Sequence, residues 1–127
     1  MNLLIVDDEY LVVEEVVTVT DWELLGITEI YSATNAVSAV RILNEKKIDI
    51  MICDIEMPQT DGLELSKKAK ENFPDLEIVM LTSHAEFNYV RNALRYGCYD
   101  YLLKPVMEDD IIKVMKNLVT KIERERH

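Results

Sequence analysis

The sequence predicts an α/β fold, a three-layer, doubly wound sheet of five parallel strands with five helices. Five short apolar runs rich in β-forming residues alternate with five longer segments of helical periodicity. Three prolines and three glycines stand at or near the ends of these segments. Because right-handed crossovers place helices over both faces of a sheet, strands that alternate with helices become parallel and buried.

Each element follows from its local pattern. The predicted strands are the runs 2–6, 29–33, 48–53, 77–81 and 99–103. The predicted helices cover residues 9–18, 35–46, 61–72, 86–96 and 107–125. The first helix is rich in valine, a poor helix former, but its valines repeat at i, i+4 around two glutamates. We expect the flavodoxin-like strand order 2-1-3-4-5, which places a crevice between the first and third strands.

Composition narrows the class of protein. A chain of 127 residues, 49% of them hydrophobic, predicts a single domain over residues 1–127 with a sizeable core. A net charge of -10 would repel a phosphate backbone, so we expect no direct contact with nucleic acid. Cys53 and Cys98 form no CxxC pair and predict two reduced thiols. The chain lacks an apolar run of membrane-spanning length, and we expect a soluble, cytoplasmic protein with no membrane contact.

Four of the five predicted strands end in polar groups that complement one another. These residues are Asp7 and Asp8 after the first strand, Asp54 after the third, Thr82 after the fourth and Lys104 after the fifth. If the first and third strands are neighbours, three carboxylates crowd together and favour a hard cation such as Mg²⁺. Lys104 adds a positive charge and Thr82 a hydroxyl donor, so the edge suits a phosphoryl group, with Asp54 as nucleophile.

Each of these residues also has an ordinary local interpretation. Aspartate and threonine cap helices, and a lysine before a proline is common in a solvated loop. The functional interpretation depends on finding these residues together, because complementary polar groups at the carboxyl ends of four strands would rarely arise by coincidence.

The motifs "IVDDE", "DIEMPQTDG", "LTS" and "DYLLKPV", in this order and spacing, resemble the receiver domain of two-component response regulators. The resemblance implies that Asp54 accepts a phosphoryl group from a sensor histidine kinase and that the domain is not a turnover enzyme. It also implies a Mg²⁺ site formed directly by Asp8, mainly through water by Asp7, by the Asp54 carboxylate and by the backbone carbonyl of Glu56. Lys104 would pair with the phosphoryl oxygens.

The same resemblance implies a switch and two further features. Thr82 would move to hydrogen-bond the phosphoryl group, and Tyr101 would turn inward into the space that it leaves. Glu56 and His84, two residues beyond Asp54 and Thr82, would tune hydrolysis of the phosphoryl group. We also expect a cis peptide bond between Lys104 and Pro105, since cis bonds are accessible before proline.

Two other classes share part of this pattern. A haloacid-dehalogenase-type phosphatase also uses a strand-end aspartate, Mg²⁺, threonine and lysine, but its nucleophile lies on an early strand with a second aspartate two residues on, where Glu56 stands here. An FMN-binding flavodoxin would need a Ser/Thr/Gly-rich loop after the first strand, and "DDEY" would repel its phosphate. We therefore favour the receiver.

The output is suggested by two segments. "TDWELLGI" (20–27) and residues 84–106 resemble receivers fused to AraC-type helix-turn-helix domains. This predicts a transcription regulator that contacts DNA only through a C-terminal effector domain absent from this chain. The alternative is a free-standing receiver that docks on a partner protein. We also expect phosphorylation-dependent homodimers through a face built from residues 86–125.

Overall fold

The computed structural model describes residues 1–57, 60–83 and 87–126. Within these ranges the strands are β1 Asn2–Val6, β2 Glu29–Ala33, β3 Ile50–Asp54, β4 Glu77–Thr82 and β5 Asp100–Leu103. They form one five-stranded parallel sheet in the order β2-β1-β3-β4-β5. The helices are α1 Tyr10–Thr18, α2 Ala36–Glu45, α3 Gly62–Asn72, α4 Phe87–Arg95 and α5 Glu108–Glu125. The predicted fold class and strand order are confirmed.

Apolar side chains on both faces of the central strands make the three layers. Side chains alternate along a strand, so Leu3 and Ile5 point to one face of β1 while Leu4 and Val6 point to the other. The first face packs against α1 and α5, and the second packs against α2, α3 and α4. Every residue of β3 is buried. The sheet is thus a rigid support that is covered on both sides.

Two short elements were not predicted. Glu56–Met57 and Thr60–Asp61 form a two-stranded antiparallel hairpin between β3 and α3. Trp22–Leu25 form a 3-10 helix after α1. This short helix is capped at its carboxyl end by Gly26, which has a φ of 92°. Trp22 is buried there, and its Nε1 donates a hydrogen bond to the carbonyl of Val16 at 3.0 Å.

The strand register brings four chain segments to one edge of the sheet. Val6 of β1 lies beside Cys53 of β3, and Asp54 lies beside Leu81 of β4. Thr82 is the last residue of β4 and pairs with Leu103, directly before Lys104. The carboxyl ends of β1, β3, β4 and β5 therefore meet, as parallel strands require.

Both cysteines are free and buried. Burial raises the pKa of Cys98 to about 11 and raises the pKa of Cys53 further. These thiols therefore stay protonated at neutral pH, which makes them poor nucleophiles. Among the described helices, none has the length and apolar character to cross a membrane.

Candidate functional site

Three aspartates meet where β1 and β3 end. One carboxylate oxygen from each of Asp7, Asp8 and Asp54 lies within 4.8 Å of the others. Asp7 and Asp54 are buried, whereas Asp8 is exposed to solvent. The arrangement follows from topology, because β1 and β3 are neighbours and both end at this edge. The predicted crowding of these carboxylates is present in the structure.

Lys104 supplies the positive charge that balances part of this cluster. Its Nζ lies 2.8 Å from Oδ2 of Asp7 and 3.3 Å from Oδ1 of Asp54. Burial disfavours the charged ammonium, but hydrogen bonds and charge interactions with the two aspartates outweigh burial and raise the pKa of Lys104. Because both distances are short, the ammonium is shared between two carboxylates.

The peptide bond between Lys104 and Pro105 is cis, as predicted.

Asp54 is a carboxylate in an unfavourable environment. Burial and, next, the charge of Asp7 raise the pKa of Asp54 to about 6. Lys104 and the backbone N–H of Glu56, which donates to Oδ1 of Asp54 at 3.2 Å, oppose this rise but do not cancel it. One ammonium is therefore too little to compensate the buried negative charge, and a further cation would lower the free energy of the ionised form.

The donor set fits a small divalent cation. Oδ1 of Asp7 accepts a hydrogen bond from the backbone N–H of Glu9 at 2.9 Å. The other oxygen, Oδ2, is buried and, apart from the contact with Lys104, has no hydrogen-bond partner among the described residues. All side-chain donors are carboxylate oxygens, the ligands that Mg²⁺ prefers. Three clustered carboxylates that a single ammonium balances only in part have the chemistry of a cation site.

An open pocket of about 440 Å³ leads to these groups. Its walls combine acidic, apolar and small polar side chains: Asp8, Glu9, Val12, Asp54, Glu56, Met57, Ser83 and Lys104. Glu9, Val12, Met57 and Ser83 were not predicted as site residues. Glu9 directly precedes α1, Val12 lies in its first turn, Met57 is in the hairpin and Ser83 follows β4. For Glu9, Met57 and Ser83 the available signal was a position next to a predicted site residue, and Val12 offered no such signal.

Gly62 packs directly behind Asp54. A Cβ atom at residue 62 would lie 1.9 Å from the backbone oxygen of Asp54 and 2.9 Å from its carbonyl carbon. The backbone N–H of Gly62 donates to the carbonyl of Ile55 at 3.0 Å. Because only glycine permits this approach, α3 can start against the backbone that carries the Asp54 side chain.

The other predicted residues occupy different positions around the edge. Thr82 is fully buried at the end of β4. Tyr101, on β5, is partly buried and packs against the core beneath α2, α3 and α4. Glu56 is exposed at the mouth of the pocket. His84 lies outside the described residues. The structure thus brings Asp7, Asp8, Asp54 and Lys104 into one cluster, with Thr82 at the end of the adjacent strand.

The sequence profile of the response regulator receiver domain matches residues 3–116. This chain belongs to that family. Receiver domains are signalling domains of two-component systems. The resemblance of the motifs to this family, stated from the sequence, is confirmed.

Several relatives cover this receiver domain almost completely. The transcriptional regulatory protein YesN of Bacillus subtilis is 34% identical over 124 residues, which are 98% of this chain and 34% of that protein. The response regulator SaeR of Staphylococcus aureus is 32% identical over 126 residues, 99% of this chain and 54% of that protein. The chain therefore spans about a third to a half of the length of these relatives.

Solved structures give the same result for the fold. The REC domain of AraT, a response regulator from Geobacillus stearothermophilus, superimposes with a TM-score of 0.91 at 30% identity, covering 99% of this chain and 98% of that one. A two component transcriptional regulator AraC from Clostridium phytofermentans superimposes with a TM-score of 0.90 at 23% identity, covering 99% of this chain and 98% of that one. The second likeness supports the fold alone.

Proposed function

We propose that this receiver domain is a phosphorylation-activated switch in which Asp54 accepts a phosphoryl group from a sensor histidine kinase. The observation that carries the proposal is the placement of Asp54, whose carboxylate lies 3.3 Å from Lys104 Nζ and within reach of the Asp7 and Asp8 carboxylates. A buried nucleophile beside a fixed ammonium and a cation site matches the requirements of phosphoryl transfer.

Asp7, Asp8 and Asp54, with the backbone carbonyl of Glu56, would hold Mg²⁺ in this domain. When bound, the ion supplies positive charge that offsets repulsion between the Asp54 carboxylate and the incoming phosphoryl oxygens. Asp54 then forms a bond from a carboxylate oxygen to phosphorus, while the bond between phosphorus and the kinase histidine nitrogen breaks and its electron pair leaves with that nitrogen. The product on Asp54 is an acyl phosphate.

The remaining residues respond to the new group. Lys104 pairs with phosphoryl oxygens, and the hydroxyl of Thr82 donates a hydrogen bond to one of them. Tyr101 turns toward the interior as Thr82 moves, which carries the change to β5. Glu56 stands at the pocket mouth. We propose that Glu56 and His84 tune the access of water and hence the lifetime of the acyl phosphate.

Labelling by a small phosphodonor tests the acceptor. Intact-mass spectrometry of the domain incubated with acetyl phosphate and Mg²⁺ is expected to show a mass gain of one phosphoryl group. The gain should be lost in Asp54→Asn, because an amide is not a nucleophile, and in excess EDTA, because the carboxylates are then uncompensated. Asp75→Asn, an exposed aspartate in the turn before β4, is the matched control and should label normally. Equal labelling of Asp54→Asn would overturn the assignment.

We further propose that the switch controls transcription through a C-terminal DNA-binding domain absent from this chain. The support is the length of relatives such as YesN, a transcriptional regulatory protein of which this chain spans 34%. A free-standing receiver that docks on a partner is the alternative, and the length of the encoded reading frame distinguishes the two.

Turnover of p-nitrophenyl phosphate distinguishes the receiver from a haloacid-dehalogenase-type phosphatase. The phosphatase would hydrolyse this substrate repeatedly, whereas a receiver labels once and loses the phosphoryl group slowly.

A homodimer is the second consequence that we propose for phosphorylation. The face formed by α4, β5 and α5 contains the edge strand β5 and the partly buried Tyr101. It carries exposed or half-exposed charges of both signs: Arg91, Arg95 and Lys113, with Asp100, Glu108, Asp109 and Asp110. Such a face suits a two-fold contact, in which each subunit presents both signs to the other.

Sedimentation velocity with and without beryllofluoride, an inert substitute for the phosphoryl group, measures this response. We expect the dimer fraction to rise several-fold at a fixed concentration, since a shift of about 1–2 kcal/mol in the switch changes populations by that amount. Asp54→Asn, which should not respond to beryllofluoride, is the control. Identical profiles of the unmodified domain in both states would remove the dimer and leave the acceptor site unaffected.

A further inference from the structure

Two buried carboxylates lie at the edge of the sheet opposite the phosphoacceptor. Asp49 directly precedes β3, and Glu77 is the first residue of β4. The backbone N–H of Glu77 donates to the carbonyl of Asp49 at 3.0 Å, so the two residues are neighbours across the strands. Both are at most 6% exposed. Buried carboxylates require partners, and the proposed switch gives these two no role.

The partners come mainly from the end of α5 and from Arg126, the residue that follows it. Arg126 Nη2 contacts Oδ1 of Asp49. The other oxygen of Asp49, Oδ2, accepts a hydrogen bond from the backbone N–H of Asn2 at 2.7 Å. Lys121 Nζ lies 2.8 Å from Oε1 of Glu77. Lys70 of α3 lies 3.6 Å from the same oxygen. Each carboxylate therefore ties α5 to the start of a different central strand.

Apolar packing does not extend to the end of this helix. The buried face of α5 stops at Ile122, and residues 123–126 are all exposed. Burial opposes ionisation of Asp49, yet the N–H of Asn2 and the guanidinium of Arg126 hold its pKa below the ordinary value. Glu77 raises the pKa of Lys121. The last turn is held by charge where the hydrophobic contacts have ended.

We infer that Asp49 and Glu77 form an ionic clamp, with Arg126 and Lys121, that holds the last two turns of α5 against the amino-terminal edge of the sheet. The clamp sets the direction in which α5 leaves the sheet. The strands that it grips, β3 and β4, are those that carry Asp54 and Thr82 at their other ends. The inference does not depend on phosphorylation and is tested without a phosphodonor.

Two arginines in the same turn provide a matched pair of variants. Arg126→Gln and Arg124→Gln remove the same charge near the same helix end, but only Arg126 contacts Asp49 within the described part of the chain. We expect the frayed population of residues 123–126 to rise about threefold to fivefold in Arg126→Gln and to change little in Arg124→Gln. Backbone Cα chemical shifts and ¹H–¹⁵N heteronuclear NOEs of residues 119–126 measure this fraying.

A second pair tests the other half of the clamp. Lys121→Gln should fray residues 119–126 less than Arg126→Gln does, because the buried Leu118 and Ile122 still pack on either side of residue 121. Lys116→Gln, on the exposed side of α5, serves as the control. Asp49→Asn combined with Arg126→Gln should fray no more than Arg126→Gln alone, since both remove one contact. Equal fraying in Arg126→Gln and Arg124→Gln, or additive effects in the double variant, would refute the clamp.

Discussion

In EDTA at neutral pH, the Asp54→Asn variant should be more stable than the unmodified domain by about 2 kcal/mol. The reason is the environment of the carboxylate, whose pKa burial and Asp7 raise to about 6. An ionised group that the folded state disfavours costs stability, and asparagine removes the charge while keeping an oxygen to accept hydrogen bonds. The variant that loses the acceptor thus gains free energy of unfolding.

The pH dependence has a definite sign. Because the folded pKa of Asp54 lies above the unfolded value of about 4, the penalty is complete above about pH 6 and disappears as the pH falls toward 4. The difference between variant and unmodified domain should shrink accordingly between neutral pH and pH 5. Urea unfolding curves in EDTA at several pH values measure it. A metal-free Asp54→Asn that is less stable than the unmodified domain at neutral pH would contradict the assigned electrostatics.

Added Mg²⁺ provides the internal control for this result. A cation that binds the folded state stabilises it by mass action, so Mg²⁺ should raise the unfolding midpoint of the unmodified domain. Asp54→Asn lacks one of the three carboxylates of the cluster and should respond less. The difference in free energy of unfolding between Asp54→Asn and the unmodified domain is therefore expected to shrink or change sign as Mg²⁺ is added.

Gly62→Ala is expected to lower the free energy of unfolding by about 3 kcal/mol or more. A methyl group 1.9 Å from the backbone oxygen of Asp54 overlaps main chain and not a flexible side chain, so either α3 or the end of β3 must shift. The shift also displaces the Asp54 carboxylate from Lys104. We therefore expect weaker Mg²⁺ binding and slower labelling, measured by calorimetric titration and by intact mass at a temperature where the variant is still folded.

Gly97→Ala separates this clash from the general cost of replacing glycine. Gly97 has a φ of 90°, so alanine is strained there, but the nearest atom to a new Cβ is the Cγ of Lys70 at 3.5 Å. The expected cost is about 1 kcal/mol, with Mg²⁺ affinity and labelling unchanged. Similar effects of the two substitutions on metal binding would mean that Gly62 does not position the acceptor.

Regular patterns allowed most of the fold to be predicted. The strands carry continuous apolar runs because both faces of the sheet are covered, and α5 repeats its apolar residues at helical spacing. The clustering of Asp7, Asp54 and Lys104 also follows from sequence, since parallel strands end at one edge and the residues after them must meet. Predicted strand ends differed by a residue or two, as in β3, which starts at Ile50 and includes Asp54.

Other features could not be predicted because they are very short or join residues that are far apart in the sequence. The strands of the hairpin after β3 are two residues long, too short to show a period. Arg126 and Asp49 are 77 residues apart, and nothing in either local sequence indicates the pairing. Ion pairs of this kind become visible only when the sheet edge and the helix end are placed together.

The 3-10 helix that follows α1 has a practical consequence for optical experiments. Trp22 is the one tryptophan in the chain, and its indole is buried in the layer formed by α1 and α5. The nearby backbone of Thr28 and Gly26 is hydrogen-bonded to Met1, at the start of the sheet. The indole is therefore near the end of the sheet opposite Asp7, Asp8 and Asp54. Tryptophan emission will therefore report global unfolding in urea. A metal titration needs a probe nearer the pocket, such as a tryptophan in place of Tyr10, the exposed residue that follows pocket-lining Glu9.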